Sequence, residues 1–300
     1  MRKLFGSLVV ATVATLSLAA AARADEPMPK LETQKLTDNI WLISGPGGNI
    51  ALDVGPTGVF MIDDQIAPMT PALKKAIAAI TPKPVRFIFN THHHGDHTGG
   101  NPVFGADGAV IVAHENVRKR LSGKQFSKMM NKEIPPSPEV ALPVVTFTDS
   151  MAFHVNGDDL DVTHVEPAHT DGDSIVYFHK ANLIHMGDTF FSTGYPFIDL
   201  DGGGSVAGYL KAADRALALG NASTKIIPGH GPVVDKNKLK QFRDMIATIR
   251  DRVKKLAAAG KSLADVQAAK PTAEYDAAWG GAFIKPSMFV EIVYEDAKKR

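Results

Sequence analysis

The segment Thr91-His92-His93-His94-Gly95-Asp96-His97-Thr98-Gly99-Gly100-Asn101 carries four side chains able to bind a metal within six residues. His92 and His94 stand two apart, so on an extended backbone they point the same way and can chelate one divalent cation. Asp96 and His97 follow at once. A turn there aims a carboxylate and an imidazole at a neighbouring point, where a second cation can sit. Three later segments carry groups of the same kind: His169 in Pro167-Ala168-His169-Thr170, Asp188 in Met186-Gly187-Asp188-Thr189, and His230 in Pro228-Gly229-His230-Gly231. Any one of these alone is a weak signal, because an isolated His or Asp in a turn is usually structural. All the donors are nitrogen or oxygen, a set that suits zinc and also accepts iron or manganese.

These groups need elements to hold them, and each follows a hydrophobic run. Val85–Phe89 reads as a buried strand leading straight into the histidine cluster, and Leu160–Val165, Leu183–Met186 and Ile226–Ile227 read as strands before His169, Asp188 and His230. Functional groups concentrate in such strand-terminal loops. Further strands are expected at Ile40–Ser44, Ile50–Val54, Val59–Asp63, Val110–Ala113, Met151–Val155 and Ser174–Phe178. Helices are expected at Thr70–Ile80, Glu115–Leu121, Val206–Leu219, Asp235–Ala259, Leu263–Ala269 and Pro286–Ala297. The order is strands, helix, strand, then the same again, which suggests two packed sheets covered by helices in one domain.

Composition narrows the function classes. The chain has 300 residues, 44% hydrophobic and 22% charged, with no cysteine and a formal charge of +1. A disulfide framework, a thiolate zinc site, an iron–sulfur cluster and a cysteine nucleophile are excluded. No basic excess supports nucleic-acid binding. Arg2 and Lys3, the apolar run Leu8–Ala22 and the motif Ala22-Arg23-Ala24 read as a signal peptide over 1–24. Cleavage would start the mature chain at Asp25 and leave an exported, periplasmic protein with no stable membrane insertion. A single domain over 25–300 would then end in a helical extension from about residue 235. Residues 124–145, with Met129, Met130 and four prolines, read either as a lid at a pocket rim or as a plain connecting loop.

The pattern H-x-H-x-D-H, here His92-His93-His94-Gly95-Asp96-His97, followed in order by His169, Asp188 and His230, resembles the metallo-β-lactamase superfamily over roughly residues 35 to 235. The resemblance implies an α/β fold, an αβ/βα four-layer sandwich of two mixed β-sheets flanked by helices, with a dinuclear metal site at one edge. It implies His92, His94 and His169 on a first metal, and Asp96, His97 and His230 on a second. Asp188 matches the carboxylate that bridges the metals in the hydroxyacylglutathione-hydrolase-like branch. The β-lactamases proper carry Cys or Ser there, so Asp188 points towards thioesterase, lactonase or general hydrolase branches.

Two Zn2+ ions would then activate a shared water against a small-molecule carbonyl substrate, with Asp96 helping to orient it. Iron or manganese remain compatible with the donors. Tyr195 and Phe197, in the Gly-rich loop 192–204, offer an apolar wall for that substrate. Three other readings stand beside this one: a β-lactamase proper, a mononuclear-iron oxidoreductase of the same fold, and a metal-binding protein without catalysis. His93 is expected behind the ligands or exposed. His114, His154, His164, His179 and His185 are expected to be structural, with His185 close to Asp188.

Overall fold

Strict alternation along the central strands decides the architecture, because successive side chains leave a strand on opposite faces. In the computed structural model, which describes residues 30–128 and 131–299, Phe60 and Ile62 face one way while Val59 and Met61 face the other. Both faces are apolar, so each must be covered.

The first half of the chain forms β1 (Glu32–Lys35), β2 (Ile40–Ser44), β3 (Ile50–Gly55), β4 (Gly58–Ile62), β5 (Val85–Asn90) and β6 (Val110–His114). A hairpin of β7 (Gln125–Ser127) and β8 (Lys132–Ile134) follows, and then β9 (Val145–Phe147). Its helices are α1 (Thr70–Ile80), α2 (Gly95–Thr98), α3 (Asn101–Ala106) and α4 (Glu115–Ser122). The first sheet has the order β1-β2-β3-β4-β5-β6-β9, antiparallel up to β4 and parallel from β4 onwards.

The second half forms β10 (Ser150–Val155), β11 (Asp158–His164), β12 (Ser174–Phe178), β13 (Leu183–His185), β14 (Lys225–Ile227) and β15 (Val234–Asp235). These make the second sheet in chain order, with only β13 and β14 paired in parallel. Its helices are α5 (Val206–Ala218), α6 (Lys236–Ala258), α7 (Leu263–Ala268), α8 (Asp276–Trp279) and α9 (Pro286–Lys298).

The sheets face each other across a core that includes Phe60, Phe89, Val112, Leu160, Val176 and Phe178. Leu73 and Ile77 of α1 and Phe104 of α3 cover the outer face of the first sheet, against Met61 and Ile88. Helices α5, α6 and α9 cover the outer face of the second, with Tyr209, Phe242, Ile246 and Phe289 over Ile184 and Ile226. The result is the expected α/β four-layer sandwich. Side-chain caps start two of the covering helices: Ser205 accepts from Gly208 N at α5, and Asp235 accepts from Lys238 N at α6.

Two differences from the sequence reading have physical causes. Strand β1 was not expected, because its four residues are all polar and exposed; backbone pairing to β2 alone defines this edge. The excursion 124–145 is not a bare loop, and part of it stands at the rim of a cavity, as one of its two readings has it. It contains the β7–β8 hairpin and a 3-10 turn, Glu139–Ala141, that packs beside α3. The signal-peptide reading of residues 1–24 and the pair Met129–Met130 lie outside the described residues. Among the described residues, no helix is long and apolar enough to cross a membrane.

Candidate metal centre

Strand direction explains why distant groups meet. β11, β13 and β14 run the same way in the second sheet. His169, Asp188 and His230 each follow the C-terminal end of one of them. In the first sheet β4 and β5 are parallel, and their C-terminal ends carry Asp63 and the His92–His97 segment. Ligand sites of α/β sheets form outside the carboxyl ends of parallel strands.

The seven expected ligands come together as two groups sharing one carboxylate. His92, His94, His169 and Asp188 offer donor atoms within 4.8 Å of one another, and so do Asp96, His97, Asp188 and His230. In the first group His94 Nδ1 lies 2.8 Å from His169 Nε2, and Asp188 Oδ2 lies 3.5 Å from His169 Nε2 and 3.9 Å from His92 Nε2. In the second, Asp188 Oδ1 is 3.1 Å from His97 Nε2 and 3.4 Å from His230 Nε2, and Asp96 Oδ2 is 3.2 Å from His230 Nε2.

The donor atoms fit metal ions better than they fit one another. His92 Nε2 is buried without a hydrogen-bond partner, which is costly unless something else satisfies it. His97 Nε2 and His230 Nε2 approach to 3.4 Å, and two neutral imidazole nitrogens so placed are natural co-ligands of one cation. The outer nitrogens are already engaged. His97 Nδ1 meets Asp63 Oδ2 at 2.7 Å, His169 Nδ1 meets the Phe197 carbonyl at 2.8 Å, His94 Nε2 meets Asp199 Oδ2 at 3.0 Å, and His92 Nδ1 meets Thr91 Oγ1 at 3.0 Å. A partner on the outer nitrogen fixes the ring and leaves the inner lone pair free to ligate.

Electrostatics divides the two groups. Burial holds His92 well below the ordinary histidine range and lowers His169 to about 4, so both rings are neutral and ready to ligate. Burial also acts on His97 and His230, but there the carboxylates outweigh it. Asp188, Asp96 and Asp63 push His97 well up, and Asp188 with Asp96 raises His230 to about 9. Burial opposes the charge on Asp188 and Asp96 too, yet the neighbouring imidazoles hold both well below the usual carboxylate range. Without metal, protons balance the carboxylates; a dication would displace them.

Packing holds the loops in place. Tyr209 of α5 donates its hydroxyl to the Asp188 carbonyl and contacts the Phe197 carbonyl at 3.0 Å. Gly208 lets α5 close on the His169 loop, because a Cβ there would overlap the Pro167 carbonyl. Phe191 stacks on His230 with ring centroids 5.2 Å apart.

Phe197 lines the cavity above the centre and lies against His94. Tyr195 touches the same cavity but is a packing residue. It is 2% exposed, stacks on Phe289, and donates its hydroxyl to Asp276 at 2.8 Å. Its ring thus borders the cavity while its hydroxyl ties the 192–204 loop to the C-terminal helices. His93 is partly buried in the cavity wall, with Nδ1 unpartnered. His185 accepts from Gly187 N and contacts the Asn49 carbonyl, bracing the turn that carries Asp188. His114 and His164 stack on each other at 3.7 Å, away from the centre.

Sequence reasoning did not single out Asp63 or Asp199, which orient His97 and His94. Asp63 was read only as the end of a strand. Its one local signal is position, since it follows β4 as His92 follows β5.

Residues 35–230 match the metallo-beta-lactamase superfamily. Among curated relatives, the alpha subunit of 2,4-dinitroanisole O-demethylase from Nocardioides sp. (strain JS1661) is 27% identical over 167 residues, covering 55% of this chain and 48% of that protein. A hydroxyacylglutathione hydrolase from Nitrosococcus oceani is 30% identical over 146 residues, covering 48% of this chain and 47% of that protein. The chain thus matches about half the length of these relatives. Among solved structures, a metallo-beta-lactamase from Pontibacter korlensis aligns with a TM-score of 0.61 at 19% identity, over 73% of this chain and 99% of that one. The sec-alkyl sulfatase PisA1 aligns with a TM-score of 0.67 at 16% identity, over 88% of this chain and 50% of that one. These structural likenesses concern the fold. With two-sheet architecture, ligand order and family match in agreement, the chain belongs to the metallo-beta-lactamase superfamily.

Proposed function

We propose that the protein is an exported hydrolase that holds two zinc ions and cleaves a small carbonyl compound: a thioester, lactone, ester or amide. The observation that carries this reading is the convergence of two donor groups on one shared carboxylate, Asp188. Two divalent cations held there would supply Lewis acidity to a water molecule and to a carbonyl oxygen. Zinc suits a donor set of imidazoles and carboxylates in a reaction without redox change.

The chain's own residues supply the rest. His92, His94 and His169 point their inner nitrogens at one place, held by Thr91, Asp199 and the Phe197 carbonyl. His97, backed by Asp63, and His230, backed by Phe191, do the same at the second. Asp96 is the ligand-type carboxylate with the most access to the cavity, 34% exposed. It stays ionised, so it can accept a hydrogen bond from an incoming water and aim its lone pair at the substrate carbon. Phe191 and Phe197 give the cavity an apolar wall against His230 and His94. The relatives named hydroxyacylglutathione hydrolase and the second donor group, with His97 and His230, support hydrolysis over a redox role. Residues 1–24 support export.

Metal analysis of the purified protein should give about two zinc ions per chain. A hydrolysis panel of nitrocefin, a homoserine lactone, S-lactoylglutathione, a phosphodiester and an aryl ester should show turnover that chelators abolish. Asp188→Asn should lose one metal and at least ~10²-fold in kcat. A single tightly bound iron per chain, or zinc binding with no turnover of the panel, would refute this reading.

A further inference from the structure

The cavity above the metal centre has an apolar mouth that folding does not require. Phe126, on β7, is 51% exposed and Phe283, between α8 and α9, is 70% exposed. Both line the same cavity of about 790 Å3, together with Ile134, Pro135, Phe191 and Phe197. That is room for a molecule of drug size. Large phenyl rings left in water around one cavity mark a place where something apolar binds.

Charge in this wall does not favour an anion. Among the described residues, Arg120 is the only Lys or Arg side chain lining the cavity. Its guanidinium is already committed. Nε and Nη2 donate to Asp171 at 3.1 and 2.6 Å, and Nη1 donates to Gln125 Oε1 at 3.1 Å and the Asp201 carbonyl at 3.3 Å. The wall also includes the carboxylates Asp199 and Asp201, paired with His94 at 3.0 Å and with Lys128 at 2.8 Å, so among the described residues no unpaired Lys or Arg faces the mouth. At the mouth, away from the metal centre, a carboxylate on the substrate would lose hydration without gaining a free Lys or Arg partner.

We propose that the substrate is an uncharged ester or related acyl compound whose bulky apolar group sits between Phe126 and Phe283, with its carbonyl at the metal centre. Water adds across the acyl bond, giving the acid and releasing the alcohol or thiol with the second proton. The bond cleaved rests on the hydrolase reading above; the apolar seat does not.

The test uses the zinc-loaded chain and p-nitrophenyl esters of acetate and hexanoate, with a third ester of hexanoate length ending in a carboxylate. Each buried methylene is worth up to about fourfold, so kcat/KM should rise at least ~10-fold from acetyl to hexanoyl. The carboxylate-ended ester should fall at least ~10-fold below hexanoyl. In the double variant Phe126→Ala, Phe283→Ala, the hexanoyl-to-acetyl ratio should drop about fivefold or more. Both positions are exposed, so folding is not at stake, and the wild-type series stands without the variant.

A flat chain-length series, or equal turnover of the carboxylate-ended ester, overturns the proposal and leaves the hydrolase reading intact. If no ester is cleaved, the hydrolase reading is decided by the wider panel above, and probe binding to the metal-free chain decides the seat. Neutral phenylnaphthylamine should bind more tightly than anionic anilinonaphthalene sulfonate, and the double variant should lose that binding. Preference for the sulfonate, or no binding of either, overturns the proposal.

Discussion

Asp63 stands behind the metal centre, and replacing it by asparagine isolates one electrostatic contact. Asp63 is fully buried, with Oδ1 accepting from Thr91 N at 2.8 Å. Its Oδ2 lies 2.8 Å from Thr91 Oγ1 and 2.7 Å from His97 Nδ1. Its φ is +61°, a left-handed conformation that asparagine also tolerates, so Asp63→Asn leaves the backbone unstrained. The amide oxygen must keep the Thr91 N–H, which turns the amide NH2 towards His97 Nδ1. Two donors then face each other. His97 relieves this by moving its proton to Nε2, the nitrogen aimed at Asp188 and His230. That nitrogen can no longer ligate.

A hydrogen bond to a charged group is worth about 1.5–3 kcal/mol, which converts to about 10–100-fold in affinity, the range seen when such backing groups are removed. Chelator competition should therefore show one zinc equivalent weakened by about that factor. The equivalent held by His92, His94 and His169 should change only a few-fold. Thr91→Val is the converse change: it removes the Oγ1 contact to His92 Nδ1 and keeps the carboxylate on His97, so any loss should fall on the equivalent held by His92 and not on the one held by His97. If Asp63→Asn binds both equivalents as tightly as the unmodified protein, Asp63 does not set the His97 tautomer and the reasoning fails.

Asp53 gives a test away from the metals. Burial raises its carboxyl to about 6, against hydrogen bonds from Asn156 and Asn39 that act the other way. The native state holds this proton more tightly than the unfolded chain. Its stabilising contribution is complete below about pH 4 and is lost as pH rises through about 6, up to about 3 kcal/mol. Asp53→Asn should gain on the unmodified protein in denaturation midpoint across that interval; parallel pH profiles would contradict this. Tyr195→Phe should cost about 1–2 kcal/mol of stability by leaving Asp276 unpaired, with KM little altered. A large KM change at unchanged stability would give the Tyr195 hydroxyl a part in substrate binding instead. Gly229→Ala should deplete bound metal, because a Cβ there overlaps Asp188 Oδ1. Normal metal content in that variant would show that the 186–189 turn can move aside.

The seven ligand-type residues were legible in the chain because their signal is local. Four lie in one short segment after the apolar strand Val85–Phe89, two of them at alternate positions, and the other three stand in loops that follow apolar strands, in the order of the family pattern. The sandwich was legible for a similar reason: strands apolar on both faces, such as Gly58–Ile62, demand cover on both sides. Polar edge strand β1 escaped, because backbone pairing leaves no mark in side-chain type.

The supports of the centre were decided by tertiary structure alone. Asp63 reaches His97 across 34 residues and Asp199 reaches His94 across 105. The chain carries 32 acidic residues, most of them ordinary. Nothing in residue type separates an aspartate behind a ligand from one in water until the sheets bring their strand ends together. The same holds for Tyr195. Its ring suits a pocket wall as well as a core, and only the return of the C-terminal helices, with Asp276 and Phe289, turned its hydroxyl inward. Spacing along a strand is a short-range property of the chain, whereas the partner of a buried polar atom depends on which distant segment packs against it.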